Sequence, residues 1–260
     1  MRSLIESYDR ERVGVCLPAV ANWELTKGSH GTLPASLRSI SARPDAVTFA
    51  RPTRHLKAYE KAFKRPVDDL IRDPKLTDNI RDVLTGLRDD THDIDPSTID
   101  RVRAFWGERV AKEDDAKFVR ELEAVHRKNL DQSRANVIRN ALNAEPPDRG
   151  PFRDYLAEAM GTLDHLADFL VAMDYGRVTA RKVAAFPSFS LLHLFGLQAL
   201  ALRWRVLGGV EIAKAARLEN DMIDVEYATL ATYGGGLASE DAGVFATYGD
   251  ILAVAERLWQ

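Results

Sequence analysis

Carboxylates near the carboxyl end of the chain are spaced in a way that could hold a divalent metal ion. Asp221 and Asp224 are three residues apart, so on a helix they share one face. Residues 237–239 are small and apolar, which is typical of a short buried strand, and they lead directly to Glu240 and Asp241. Because carboxylate oxygens are hard ligands that suit Mg²⁺ or Mn²⁺, the pattern predicts a metal site.

The same residues also have a purely structural interpretation. Asn220 is a good N-cap residue, and acidic side chains in a first helical turn complement the helix dipole. Asp241 could likewise cap a helix that begins at Ala242. The chemistry of these side chains alone favours this structural interpretation over a metal site, and both stay open.

The order of residues in the segment 220–241 resembles the C-terminal acidic motif of PIN-domain-like nucleases. The segment reads Asn-Asp-x-x-Asp-x-x-Tyr, continues through Ala and Tyr to the small apolar stretch, and closes with Ser-x-Asp at Asp241. A weaker resemblance lies near the amino end, where an expected strand over residues 13–17 precedes an expected helix over 18–28 that carries Glu24.

This resemblance implies a metal-dependent endoribonuclease that hydrolyses phosphodiester bonds with Mg²⁺ or Mn²⁺. It assigns the catalytic and metal-binding roles to Glu24, Asp221, Asp224 and Asp241. RNA is the implied substrate, with single-stranded DNA the less favoured one. A toxin or defence role is a reasonable expectation, and such a role would bring an antitoxin-type protein partner.

Two departures from the family pattern keep other functions open. The family opens with a strand that ends in Asp, whereas here the first residues carry Leu4, Ile5 and Tyr8 at helical spacing; Gly235 stands where related sequences place a further Asp. The alternative is a catalytically degenerate PIN-like protein that acts as an RNA-binding or protein-interaction module. A third interpretation is an unrelated helical protein in which Asp221, Asp224 and Asp241 only cap helices.

Basic residues cluster in two segments. The first lies within residues 51–65, with aromatic residues interleaved, and the second within residues 177–182. Each cluster is explained as well by a solvated helix face as by contact with RNA. Within the first cluster, Arg51 and Arg54 are the expected substrate-binding residues, because they directly follow an expected strand over 47–50. The other basic residues of the two clusters are Lys57, Lys61, Lys64, Arg65, Arg177, Arg181 and Lys182.

Composition is that of an ordinary soluble globular protein. The chain has 260 residues, of which 45% are hydrophobic and 29% charged, and its net charge of −3 is unlike that of a dedicated nucleic-acid coat protein. One cysteine excludes a disulfide within the chain. The first residues lack the apolar stretch of a signal peptide, so a cytoplasmic location is expected.

The apolar stretch over 186–202 predicts a core helix, in which His193 would be a hydrogen-bonded core residue.

The expected fold class is α/β, with a PIN-like small parallel sheet flanked by helices and a long helical insertion. Strands near Val13, Val47 and Leu237 would form the sheet. The core would comprise residues 1–65 and 148–260, and the insertion residues 66–147, whose apolar faces would suit a homodimer or another partner. Helical spacing predicts helices over 53–63 and 76–87, an apolar stripe of Phe118, Leu122, Val125 and Leu130, and one long helix from about 152 to 173.

Overall fold

A computed structural model describes residues 15–17, 41–65, 71–89, 113–208, 215–233, 236–237 and 241–259. It is 76% helical, and its described residues include only one sheet, of two short strands. The predicted PIN-like α/β fold is therefore wrong. Of the third expected strand, Leu237 is not in a strand and residues 238–240 lie outside the described residues. Apolar spacing of three and four residues dominates this chain, and it builds helix-on-helix layers rather than a sheet.

The described residues form two compact units. The first comprises residues 15–17, 41–56 and 71–89, and the second residues 57–65, 113–208, 215–233, 236–237 and 241–259. Helix α1 (Thr53–Phe63) begins in the first unit, and its residues from Lys57 onward belong to the second. The predicted core and insertion boundaries stay a prediction.

The first unit contains the sheet. Strand β1 (Val15–Leu17) pairs in parallel with β2 (Val47–Phe49), and Val15 lies opposite Val47. Helix α2 (Pro74–Arg88) packs on β2, and the backbone N–H of Phe49 donates to Thr77 Oγ1 at 3.0 Å. The strand predictions near Val13 and Val47 are confirmed locally, and so are the helices predicted over 53–63 and 76–87.

The second unit is a bundle of helices around one buried helix. Helix α8 is apolar on all sides, and most of its residues are buried, as a helix in the centre of a core requires. The helices α3, α4, α5, α9 and α10 all pack against it. The bounds are α3 (Glu113–Asn129), α4 (Gln132–Leu142), α5 (Gly150–Met160), α6 (Leu163–Ala172), α7 (Arg177–Ala184), α8 (Phe189–Leu207), α9 (Ala215–Ala231) and α10 (Ala242–Trp259).

The prediction of a core helix over the apolar stretch is confirmed by α8. Gly196 allows α9 to approach closely, because a Cβ atom at this position would lie 2.6 Å from Cγ1 of Val225. Within the described residues, no single helix is long and apolar enough to cross a membrane. In the same part of the chain, one pair of helices, α7 and α8, meets that length and composition when taken together, and the pair is bent by 80° at its junction.

The single long helix predicted from about 152 to 173 is wrong, because the chain breaks it at Gly161. Gly161 has a φ of +71°, which L side chains rarely adopt, and a Cβ there would lie 2.4 Å from Nδ1 of His165. Thr162 then caps α6 by accepting the backbone N–H of His165 at 3.4 Å. The apolar residues continue at helical spacing across this break, so periodicity alone conceals it.

The side chains that α3 buries are not all those that the sequence predicted. Leu122 and Leu130 are buried as expected, but Val125 is 49% exposed and His126 is buried in its place. His126 faces α8, where Gln198 is its hydrogen-bonding neighbour, but its Nε2 has no hydrogen-bond partner among the described residues. Burial lowers the pKa of His126 to about 4, and the hydrogen bonding to Gln198 opposes that shift.

A buried carboxylate fixes α10 against α5. Asp250 is only 1% exposed at its side chain, and it accepts from Nε of Arg149 at 2.9 Å and from Nε of Arg153 at 2.8 Å. Both guanidinium groups come from the start of α5. The negative charge of Asp250 is therefore paired with two arginine side chains inside the bundle.

We expect the buried histidine to make the protein less stable in acid. The pKa of this histidine is lower in the folded protein than in the unfolded chain. The neutral side chain therefore stabilises the fold at a pH above the unfolded-state pKa, and this stabilisation is lost as the pH falls toward the folded-state pKa. Since the pKa of His126 falls from 6.5 to about 4, the loss should reach about 3 kcal/mol. Urea unfolding at about pH 7 and about pH 4.5 should show that His126→Gln loses less stability than wild type over this interval. Equal losses in the two proteins would contradict the prediction.

Candidate functional site

Asp221 lies on α9 and is held by two donors from α8. Nη2 of Arg203 lies 2.9 Å from Oδ2 of Asp221, and the indole Nε1 of Trp204 donates to the same oxygen at 3.0 Å. The side chain of Asp221 is 14% exposed. The guanidinium of Arg217 lies 5.2 Å from the Trp204 ring centroid. A half-buried carboxylate therefore has a paired cation and a neutral donor.

Asp241 is the N-cap of α10. Its Oδ1 accepts the backbone N–H of Gly243 at 2.6 Å and that of Val244 at 3.2 Å, and the helix begins at Ala242. The capping interpretation that the sequence left open for this residue is confirmed. Asn220, in contrast, is not a cap, because α9 already begins at Ala215.

Arg203 lies close to both Asp221 and the helix start that Asp241 caps. A Cβ atom at Gly243 would lie 3.8 Å from Nη1 of Arg203 and 3.0 Å from Oδ1 of Asp241. The guanidinium thus pairs with Asp221 on α9 and lies beside the first turn of α10, which Asp241 caps. Three helices meet at this cation.

The remaining predicted metal ligands divide into described and undescribed residues. Asp224 lies on α9, is half-buried and interacts with other residues of the protein. Glu24 lies outside the described residues, and so do Gly235, where the family pattern has a further Asp, and Glu240.

The described acids do not fit a metal centre as they are arranged. Among the described residues, no group of three or more His, Cys, Asp or Glu side chains could hold a metal ion. Oδ2 of Asp221 accepts from Arg203 and Trp204, and Oδ1 of Asp241 accepts from two backbone N–H groups. These oxygens have the right chemistry for Mg²⁺ or Mn²⁺ but are already hydrogen-bonded within the protein.

Part of the first basic cluster contacts the turn that precedes α7, the helix that carries the second basic cluster. Nζ of Lys61 lies 2.8 Å from Oδ2 of Asp174, and the hydroxyl of Tyr175 donates to the backbone oxygen of Lys57 at 3.2 Å. Helix α7 begins directly after this turn, at Arg177. We call the following set the basic surface: Lys57, Lys61, Lys64 and Arg65 from α1 and its C-terminal end, with Arg177, Arg181 and Lys182 from α7.

A buried carboxylate attaches α1 to the start of α8 and so positions the basic surface. Glu60 is fully buried; it accepts the backbone N–H of Phe189, that of Ser190 at 2.8 Å and the Ser190 hydroxyl at 2.7 Å. Oγ of Ser190 also lies 2.6 Å from the hydroxyl of Tyr175. Burial raises the pKa of Glu60, against the hydrogen bonds from Ser190 and Phe189 that lower it. Burial also raises the pKa of Tyr175 to about 12.

His193 lies one turn further along α8 and is a core residue, as predicted. It is 3% exposed, and its ring stacks on Phe189 with the centroids 6.2 Å apart. Burial, with a smaller contribution from the positive charge of Lys57, lowers its pKa well below the usual value. Its Nδ1 has no hydrogen-bond partner among the described residues, so it differs there from the hydrogen-bonded core histidine expected.

The predicted substrate-binding residues Arg51 and Arg54 belong to the first unit, whereas Asp221, Asp224 and Asp241 belong to the second. Arg51 is half-buried, and its backbone N–H donates to the oxygen of Ile71 at 2.7 Å. Arg54 is exposed on the first turn of α1. The role of both residues in binding RNA stays a prediction.

Sequence reasoning missed the residues that organise these sites, Glu60 and Arg203. Glu60 follows the buried Leu56 by four residues, so helical spacing already places it on the inward face of α1. Arg203 ends the apolar stretch of α8 beside Trp204, where a partly buried cation requires an acidic partner. Neither signal identifies the partner.

We expect Arg203→Met to destabilise the protein by about 1–3 kcal/mol, because it leaves Asp221 half-buried without its cation. In the Arg203→Met background, Asp221→Asn should cost less than it does in wild type, since the interaction is already lost. A double-mutant cycle by urea unfolding measures this coupling. The control is the exposed pair Arg257 and Asp154, for which the coupling should stay below about 1 kcal/mol. Additive effects of Arg203 and Asp221 would show that the contact does not stabilise the fold.

Comparison with known proteins does not assign a family. No family model, no curated protein and no solved structure matches this chain. A functional proposal therefore depends on the residues and contacts of the chain itself.

Proposed function

We propose that the protein binds RNA through the basic surface and acts as a non-catalytic binding module. The observation that supports this proposal most directly is the contact of Lys57 and Lys61 with the turn at Asp174 and Tyr175. It connects the basic residues of α1 to the turn from which α7, with Arg177, Arg181 and Lys182, begins more than a hundred positions later in the sequence. A net charge of −3 over the whole chain makes such a local excess of positive charge distinctive.

The chemistry of this surface suits a polyphosphate backbone. Lysine and arginine neutralise phosphates and release counterions, which supplies affinity without sequence readout. Phe63 is 56% exposed at the end of α1, and Val178 is 69% exposed on α7, so apolar side chains accompany the charges. Exposed aromatic residues among basic ones are a feature of single-strand binding surfaces. RNA is preferred to DNA because of the resemblance of the segment 220–241 to proteins that act on RNA.

We expect neutralisation of the basic surface to weaken RNA binding about tenfold or more and to reduce its salt dependence. The variant Lys64→Gln, Arg181→Gln, Lys182→Gln removes three phosphate contacts, which should lower the slope of log Kd against log salt by about 2. Fluorescence anisotropy with a labelled single-stranded RNA of mixed sequence over a salt series measures both quantities.

The matched control removes the same charge from another helix. Lys117, Arg120 and Lys128 are exposed on α3, and their replacement by Gln should leave affinity and slope close to those of the wild type. An equal loss in both variants would mean that only net charge matters. Saturable binding of an acidic protein or peptide without any binding of RNA would reject the RNA proposal.

A second candidate function is a metal-dependent ribonuclease that uses Asp221, Asp224 and Asp241, with Glu24 as a further ligand and Mg²⁺ or Mn²⁺ as the ion. The observation in its favour is that Asp221 and the start of α10, which Asp241 caps, both lie next to Arg203. Because the described acids do not form a metal-binding group as arranged, we derive no catalytic step from them.

Cleavage assays separate the two candidates. Single-stranded RNA, structured RNA and single-stranded DNA are incubated with the wild type and with Asp224→Asn in the presence of Mn²⁺. The binding-module proposal predicts no cleavage by either protein and no increase of Tm with Mn²⁺. Metal-dependent cleavage that Asp224→Asn abolishes, together with a rise of Tm, would reject the non-catalytic proposal in favour of the nuclease.

A further inference from the structure

Phe63 is the most exposed aromatic residue described on the basic surface. It is the last residue of α1, and 56% of it is exposed to solvent. Burying an aromatic ring releases much apolar area from water, so folding alone favours an inward ring at this position. The exposed part of this ring, which lies beside cations, is instead available to a ligand with a flat apolar face.

The ring of Phe63 is held in place by two neighbours. It stacks on Tyr59, one turn earlier, with the centroids 5.9 Å apart and the planes inclined by 22°. The guanidinium carbon of Arg65 lies 6.0 Å from the Phe63 centroid, within cation–π range. These contacts reduce the freedom that the side chain would lose when a ligand binds.

The backbone after α1 makes the Arg65 contact. Lys64 has a φ of +55°, the left-handed conformation that commonly ends a helix, and its N–H donates to the backbone oxygen of Glu60 at 2.8 Å. After this residue, Arg65 lies over the ring of Phe63. The ring of Phe63 and the positive charges of Lys61, Lys64 and Arg65 thus lie within one short segment.

We propose that Phe63 is a stacking platform for an unpaired base and makes the basic surface selective for single-stranded RNA over double-stranded RNA. The inference rests on the proposed RNA-binding function. In a duplex the bases stack on each other and their faces are covered, whereas an unpaired base can stack on an aromatic ring while nearby cations bind its phosphates. Stacking uses the face of the base, which all bases have, so the site distinguishes single-stranded from double-stranded RNA and does not distinguish one sequence from another.

The test compares an unstructured RNA with the duplex of the same sequence, using wild type, Phe63→Ala and Phe63→Tyr. We expect Phe63→Ala to weaken single-strand binding about tenfold with an unchanged salt slope, and to leave duplex binding unchanged. Phe63→Tyr keeps the ring and should retain the wild-type affinity. In the RNA labelled with 2-aminopurine, the wild type should quench the fluorescence and Phe63→Ala should not. Circular dichroism checks that each variant is folded.

A second variant controls for loss of exposed apolar area. Val137→Ala shortens a side chain on α4 that is 55% exposed, close to the exposure of Phe63, and should leave the preference for single strands intact. Equal affinity of wild type for single-stranded and duplex RNA, or equal single-strand binding by wild type and Phe63→Ala, would overturn the stacking inference while salt-dependent RNA binding remained. Absence of RNA binding by the wild type would overturn the proposed function, and the stacking inference with it.

Discussion

The buried start of α8 is the constraint on which the second unit depends. A helix leaves its first N–H groups without partners inside the helix, and here those groups lie in the core, because Ser188, Phe189 and Ser190 are all buried. Ser188 accepts the N–H of Leu191, while Glu60 accepts those of Phe189 and Ser190. The carboxylate also complements the positive end of the helix dipole. Because water cannot reach these groups, α1 is held where Glu60 can accept them, and Lys57 and Lys61 thereby lie against the turn at Asp174 and Tyr175.

Apolar burial around α8 supplies most of the stabilisation, and polar contacts determine which faces meet. His126 meets Gln198 between α3 and α8, Asp250 pairs with two arginines of α5, and Arg203 joins α8 to α9. Each of these groups would be costly to bury alone, so a different packing of the same apolar faces would leave it unsatisfied.

The acids near the carboxyl end illustrate how one spacing can serve two chemistries. Carboxylates at Asp221 and Asp241 are suited to a metal, but a partly buried acid can equally be neutralised by an arginine, and an acid before a helix can accept its first N–H groups. In this protein both structural solutions are present, through Arg203 and through the first turn of α10. The exposed basic residues of α1 and α7 are therefore better candidates for binding a ligand than these acids.

The sequence by itself determined the features that depend on neighbouring residues. The bounds of α1, the presence of α2 and α8, the cap at Asp241 and two of the short strands follow from spacing, composition and local hydrogen bonding. Tertiary structure decided the fold class, the break at Gly161, the inward position of His126 and the partners of Glu60 and Arg203. The physical reason is that a backbone preference acts over one helical turn, whereas burial and charge pairing depend on groups that are distant along the chain. A strand of three residues, or a carboxylate on a helix, acquires its role only from the partner that the packing brings to it.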